Sequence, residues 1–222
     1  MIPIGLKQKP LLEYVVRLLR FHKVTDLAFL VNYKGEQIRN YFDDGSRFDV
    51  KISYVYDDPP FRGTGGAVLS AYRQGVISTK DTVLVYYGDI LTDMNLHEML
   101  RSHAKRKASA TVALAAGFAV RVGVAELDDK GKIRGFVEKP ILEKPVSIGI
   151  LALDGAVLGL MNHLMKNQPE LDLMRDIIPN LIAEDRPVYG HLAKSFWYDV
   201  GSTEAYEKLD PKLVDETMAF LF

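Results

Sequence analysis

The chain has 222 residues, is 48% hydrophobic and 26% charged, and carries a net charge of −1 at pH 7 and no cysteine. These are globular values; they allow a large core and exclude disulfides, thiolate catalysis and cysteine-held zinc or iron–sulfur centres. Near-neutral charge gives no general attraction to nucleic acid or an anionic membrane, and no apolar run approaches the ~20 residues that span a bilayer, so a soluble, cytoplasmic protein is expected.

The opening MIPIGLKQKP lacks the apolar centre of a signal peptide. PLLEYVVRLLRFH (10–22) has apolar residues at helical spacing, with Pro10 suited to a first turn. DLAFLVNY (26–33) reads as a strand, KGEQIRNYF (34–42) as a helix and VKISYVY (50–56) as a strand. FRGTGGAVLS (61–70) then sets Gly63, Gly65 and Gly66 ahead of a helix predicted over 65–76. Glycine permits positive φ and close approach of a ligand, and a helix start offers unpaired N–H groups. A plain strand-to-helix turn needs the same residues. TVLVYYGDI (82–90) reads as a buried strand and NLHEMLRSHAKRK (95–107) as a helix. Its basic end, Arg101 to Lys107, opposes the helix dipole and requires no nucleic-acid ligand.

This alternation predicts a mainly parallel sheet covered on both faces. The second half is richer in strands: SATVALAA (109–116), VGVAELDD–GKIRGFVEKP (122–140) about a hairpin turn at DDKG (128–131), and SIGILAL (147–153). A helix follows over 171–185, then VYGHLAKSFWYDVG (188–201) and a closing helix over 203–209. The expected fold class is α/β, with one continuous mixed, mostly parallel sheet flanked by helices. It forms a single domain over 1–210, followed by a tail over 211–222.

Ligands of open α/β sheets sit outside the carboxyl ends of the strands. Asp89 stands where the apolar run VLVYY stops, after Gly88, where an acid can hold a divalent cation or simply cap a loop. In WYDVGSTEAYEKL, Ser202 or Thr203 is the natural helix cap, which leaves Asp199 free for other work. FVEKP sets Glu138 and Lys139 before Pro140, either as a site or as an exposed hairpin end. The five histidines have no metal-ligand spacing.

In the order KPLLEYVVRLL, GTGGA, YYGDI, VGVAELDDKGKIRGFVEKP, SIGI, DIIPNLI and WYDVGSTEAY, the chain resembles the sugar-1-phosphate nucleotidyltransferases over about residues 3–209. The subtype pattern is nearest mannose-, glucose- or heptose-1-phosphate enzymes. The resemblance implies a Rossmann-like nucleotidyltransferase fold and attack of a sugar 1-phosphate on the α-phosphorus of an NTP. The products would be NDP-sugar and pyrophosphate. It implies that Asp89 and Asp199 hold Mg²⁺, with these acids and Lys139 as the catalytic set. Gly63, Thr64, Gly65, Gly66 and Gly88 would lie against the nucleotide. Gly123, Glu138, Lys139, Ser147 and Gly149 would receive the sugar and its phosphate.

The resemblance begins at IPIGLKQKP, past the family's first strand and its glycine-rich GxGTRxRP loop. With the loop's cations go groups worth several kcal/mol in the transition state, so turnover by the 222 residues alone is expected to be impaired. Lys7 and Lys9 are the nearest cations. The first strand would sit centrally in the sheet, so another segment or a neighbouring chain is expected in its place, MAFLF (218–222) being one candidate. That apolar segment also makes self-association, or pairing with an active homologue, reasonable. The usual glutamine before the glycine segment is replaced within VYDDPPFRG, at Asp57 or Asp58, and Arg62 adds a charge. Ser147-Ile148 and Val122 depart from the sugar-pocket pattern. Two other functions fit the residues: a non-catalytic nucleotide-sugar-binding regulatory subunit, and a metal-dependent glycosyltransferase suggested by the Asp89–Asp93 spacing.

Overall fold

A computed structural model describes residues 1–56, 61–120 and 122–222. Asp57 and Asp58 lie outside the described residues. In chain order come helix α1 (Leu11–Phe21), strand β1 (Asp26–Val31), α2 (Gly35–Phe42), β2 (Lys51–Tyr56) and α3 (Gly63–Arg73). There follow β3 (Thr82–Tyr86), β4 (Ile90–Thr92), α4 (Leu96–Lys105), β5 (Ala110–Ala115), β6 (Val124–Leu127) and β7 (Ile133–Val137). The chain ends with β8 (Val146–Asp154), α5 (Val157–Leu164), α6 (Ile178–Ala183), β9 (Val188–Ala193), β10 (Trp197–Asp199), α7 (Thr203–Lys208) and α8 (Pro211–Thr217).

The main sheet has the order β9-β5-β8-β3, with β9 parallel to β5 and β8 antiparallel to both its neighbours. Side chains alternate across a strand, and β8 shows the two layers that result. Ile148, Ile150 and Ala152 join the core formed with α1 and α4, whereas Leu151 and Leu153 join the core formed with α3, α5 and α6. Helices thus cover both faces, as α/β patterning requires.

The continuous sheet expected from the sequence is divided in two. Strands β1 and β2 form a separate parallel pair, and an apolar cleft of about 1130 Å³ separates β1 from β3. MAFLF does not fill it. Met218 and Leu221 are buried, the Phe222 ring meets Tyr14 edge-on at 5.2 Å, and Phe220 meets Phe21 at 5.0 Å. The segment therefore covers α1 instead.

Under this cover α1 holds one buried acid. Glu13 accepts hydrogen bonds from Lys9 and Arg17, each at 2.8 Å, and from the Tyr41 hydroxyl at 2.5 Å. At the other extreme, β6 and β7 form an antiparallel ribbon whose Val124, Leu127, Ile133, Phe136 and Val137 are all exposed.

Candidate active site

The turn after β3 carries Asp89, and its shape follows from backbone bonds: the Ile90 amide donates to the Tyr87 carbonyl, and the Val200 amide to the Asp89 carbonyl at 2.9 Å. Strand β10 pairs antiparallel with β4, with Asp199 opposite Ile90. Two acids 110 positions apart in sequence are thereby brought to one rim. A Cβ placed on Gly201 would lie 2.8 Å from an Asp199 carboxylate oxygen and 3.0 Å from one of Asp89, so both carboxylates converge over that glycine. The Gly201 amide donates to Asp199 at 2.7 Å, and Ser202 caps α7 by accepting from the Ala205 amide. Asp89 is open to solvent on one side. Even so, burial of its inner side, and secondarily the Asp199 charge, push its carboxyl above the usual range.

The two acids share a cavity of about 370 Å³ with Tyr87, Phe118, Ser147, Gly149, Met174 and Trp197. The Phe118 and Trp197 rings stack with centroids 6.4 Å apart. Gly149 has φ +75°, and a Cβ there would stand 3.1 Å from Ile90 and 3.3 Å from Tyr87. A side chain at this position is therefore strained and crowded as well. Among the described residues, neither Lys nor Arg lines the cavity, and no cluster of three or more His, Cys, Asp or Glu stands ready to hold a metal. Two converging carboxylates are a hard oxygen-donor pair that would fit a divalent cation.

The glycine segment is the first turn of α3, clamped to residues 170–173. The Gly65 and Gly66 amides both donate to the Leu171 carbonyl, at 2.8 and 3.1 Å. Both glycines are buried, and a Cβ on Gly66 would come within 2.6 Å of the Phe61 carbonyl carbon. Their amides are thus committed within the protein. Gly63 (φ +79°) is exposed, while Thr64 and Gly88 line the end of the large cleft beside Tyr87 and Asp89.

The remaining expected residues are divided. Ser147 and Gly149 line the cavity of the two acids. Gly123, Glu138 and Lys139 do not; they lie on or next to the exposed ribbon, where a Cβ on Gly123 would touch Glu138 at 2.8 Å. Lys139 has φ +50°, a left-handed conformation unusual for lysine. Asp93 stands outside the cavity lining, with one carboxylate oxygen buried and unpartnered. Tyr87, Phe118, Met174 and Trp197 are not among the residues expected from the sequence. A signal exists only for Trp197, because residues i and i+2 of a strand share a face and Asp199 follows it at that spacing.

The nucleotidyl transferase family model matches residues 1–216. A UTP–glucose-1-phosphate uridylyltransferase of Synechocystis sp. is 32% identical over 220 residues, covering 93% of this chain and 55% of that protein. A mannose-1-phosphate guanylyltransferase of Mycobacterium tuberculosis is 25% identical over 92% of the chain and 56% of its own length. The chain thus spans about half the length of these relatives. Among solved structures, a Bacillus anthracis protein described as a candidate glucose-1-phosphate thymidylyltransferase, crystallised with sucrose, superposes with a TM-score of 0.70 at 20% identity. The match covers 93% of this chain and 82% of that one, and it establishes a shared fold.

Proposed function

This chain belongs to the nucleotidyl transferase family, and from that premise we propose that it forms the substrate-binding and catalytic part of a sugar-1-phosphate nucleotidyltransferase. In that reaction a phosphate oxygen of the sugar 1-phosphate bonds to the α-phosphorus of an NTP. The bond from that phosphorus to the departing pyrophosphate breaks, giving NDP-sugar. The observation that carries the reading is the convergence of Asp89 and Asp199 over Gly201, in one cavity with Ser147 and Gly149.

A divalent cation, Mg²⁺ by the resemblance, would supply charge neutralisation of the phosphates between the two carboxylates. The protein's own residues do the rest. Tyr87, Phe118 and Trp197 wall the cavity beside the two acids. Gly149 lets a sugar approach the backbone of β8. Gly63 and Thr64 present the face against which a nucleobase can lie, and Gly65 and Gly66 fix that face through Leu171. Glu138 would reach the sugar hydroxyls, and Lys139 the sugar phosphate as a point charge, only when the ribbon carries them to the rim. A cytoplasmic location is part of the proposal.

One observation favours a second reading. The cavity has two acids and, among the described residues, no cation, while Lys9 is engaged by Glu13. A nucleotide-sugar-binding subunit without turnover would look the same, paired with an active homologue. Pyrophosphate release, measured beside binding titrations of UTP, GTP, dTTP, ATP and their glucose and mannose NDP-sugars with Mg²⁺, separates the two. Turnover of a matched pair supports the first; saturable binding with none supports the second. Absence of both would overturn each.

A further inference from the structure

The proposed reaction needs one wall for the nucleobase and another for the sugar phosphate, and residues 171–176 touch both. At one end of this segment the Leu171 carbonyl holds the Gly65 and Gly66 amides. Further along, Met174 lines the cavity of Asp89 and Asp199. Asp172 stands between them, partly buried, and its two carboxylate oxygens have different tasks.

Oδ1 accepts from the Met174 amide at 2.9 Å and the Arg175 amide at 2.8 Å, which caps the turn Leu173–Ile177. Oδ2 accepts from the Thr64 hydroxyl, across 108 positions of sequence. That hydroxyl in turn accepts from the Leu173 amide. The Asp172 amide donates to Asp176 Oδ2 at 2.7 Å, so the segment is also closed on itself. Tyr87 adds a second link. Its hydroxyl lies beside Thr64, and its ring lines both the large cleft and the cavity of the acids.

A cap needs one acceptor oxygen, and serine supplies it as well as aspartate does. Capping therefore does not account for the second oxygen, which spans from this turn to the first turn of α3. Through it, Thr64 cannot shift without drawing on Asp172, and Asp172 cannot turn without disturbing the Met174 amide.

We propose that Asp172 is a positioning residue that couples the two substrates: a nucleotide seated against Gly63 and Thr64 orders residues 171–176 and so sets the Met174 wall for the sugar phosphate. This rests on the reaction proposed above. The coupling is one of ordering: the first ligand fixes the segment, and the second meets a wall already fixed. It is also reciprocal, as linkage requires.

The test is calorimetry of the 222-residue chain with glucose 1-phosphate and mannose 1-phosphate. Each is titrated without and with the tightest-binding of the α,β-imido analogues of UTP, GTP, dTTP and ATP, in Mg²⁺. These analogues resist transfer of the nucleotidyl group. Asp172→Ser keeps the cap but is too short to reach Thr64, whereas Asp172→Asn keeps both links. Both variants lose the charge. The analogue should tighten sugar-phosphate binding about fivefold or more in the parent and in Asp172→Asn, and less than about twofold in Asp172→Ser. Amide exchange in residues 171–176 should slow about tenfold with the analogue alone in the parent, and not in Asp172→Ser. Coupling in Asp172→Ser equal to that of the parent would overturn the proposal and leave the reaction standing. So would a parent that binds the two ligands independently. Binding of neither ligand would overturn the reaction, and this inference with it.

Discussion

The hydroxyl of Thr64 donates to the Asp172 carboxylate at 2.9 Å and accepts from the Leu173 amide at the same distance. One side chain thus ties the first turn of α3 to the turn that leads into α6. Thr64→Val keeps the shape but leaves Leu173 N–H and one Asp172 oxygen without their partner. Loss of about 1–3 kcal/mol in urea unfolding is expected, with most of it restored by Thr64→Ser. Equal stability of the valine variant would show that the clamp rests on the Gly65 and Gly66 amides alone.

Asp89→Asn and Asp199→Asn remove one of two like charges held together. Folding should be unchanged or slightly favoured, because Asp89 ionises against burial and its neighbour. Stabilisation by Mg²⁺ with NTP should fall about tenfold or more in effective affinity. Thermal shift titrations with and without the metal measure both effects in one experiment.

Gly201→Ala separates these roles differently. The new Cβ meets first the Asp199 oxygen held by the Gly201 amide and then one Asp89 oxygen, so the stability cost should be about 1 kcal/mol. It would also press those ends apart. A large loss of Mg²⁺-dependent nucleotide binding with near-normal unfolding would mark Gly201 as the residue that allows the acids to meet.

Glu13 predicts the acid limb of stability. Burial raises its pKa, but hydrogen bonds from Lys9, Tyr41 and Arg17 outweigh it and bring the net value below the ordinary 4.5. The group therefore contributes stability above that unfolded-state value and loses it as pH falls through the lower folded-state value. Tyr41 is pushed up to about 12, by burial first and then by Glu13. Its contribution is complete below the ordinary 10 and fades as pH rises toward 12. Unfolding curves of Glu13→Gln between pH 3 and 7, and of Tyr41→Phe between pH 8 and 12, should each be flatter than those of the parent.

Local rules carried much of this architecture. The helical spacing of 10–22, the strand 26–31 and the cap at Ser202 were readable, because each depends on neighbours in sequence. Helix α5 was not read: apolar on nearly every side and interrupted by Gly159, it offers no clean 3.6-residue stripe. Helix α8 falls in the segment expected as a tail, although its Asp210 cap and Pro211 start are local helix signals. At the site, the positions of Asp89 and Asp199 each follow from a local stop in an apolar run. Their convergence follows from pairing between β4 and β10, which no local pattern encodes. The commitment of the Gly65 and Gly66 amides to Leu171 is equally non-local.

The ribbon of β6 and β7 buries neither face, and that has a consequence for handling the protein. A hairpin with no packed side opens at almost no free-energy cost, since it shares little of the domain's cooperativity. Lys130, Lys132 and Arg134 lie at its tip and on its second strand. Trypsin should therefore nick the chain here before the body of the domain unfolds. A ligand that pins the ribbon down would slow that cut, giving a gel-based reporter of occupancy that needs no turnover.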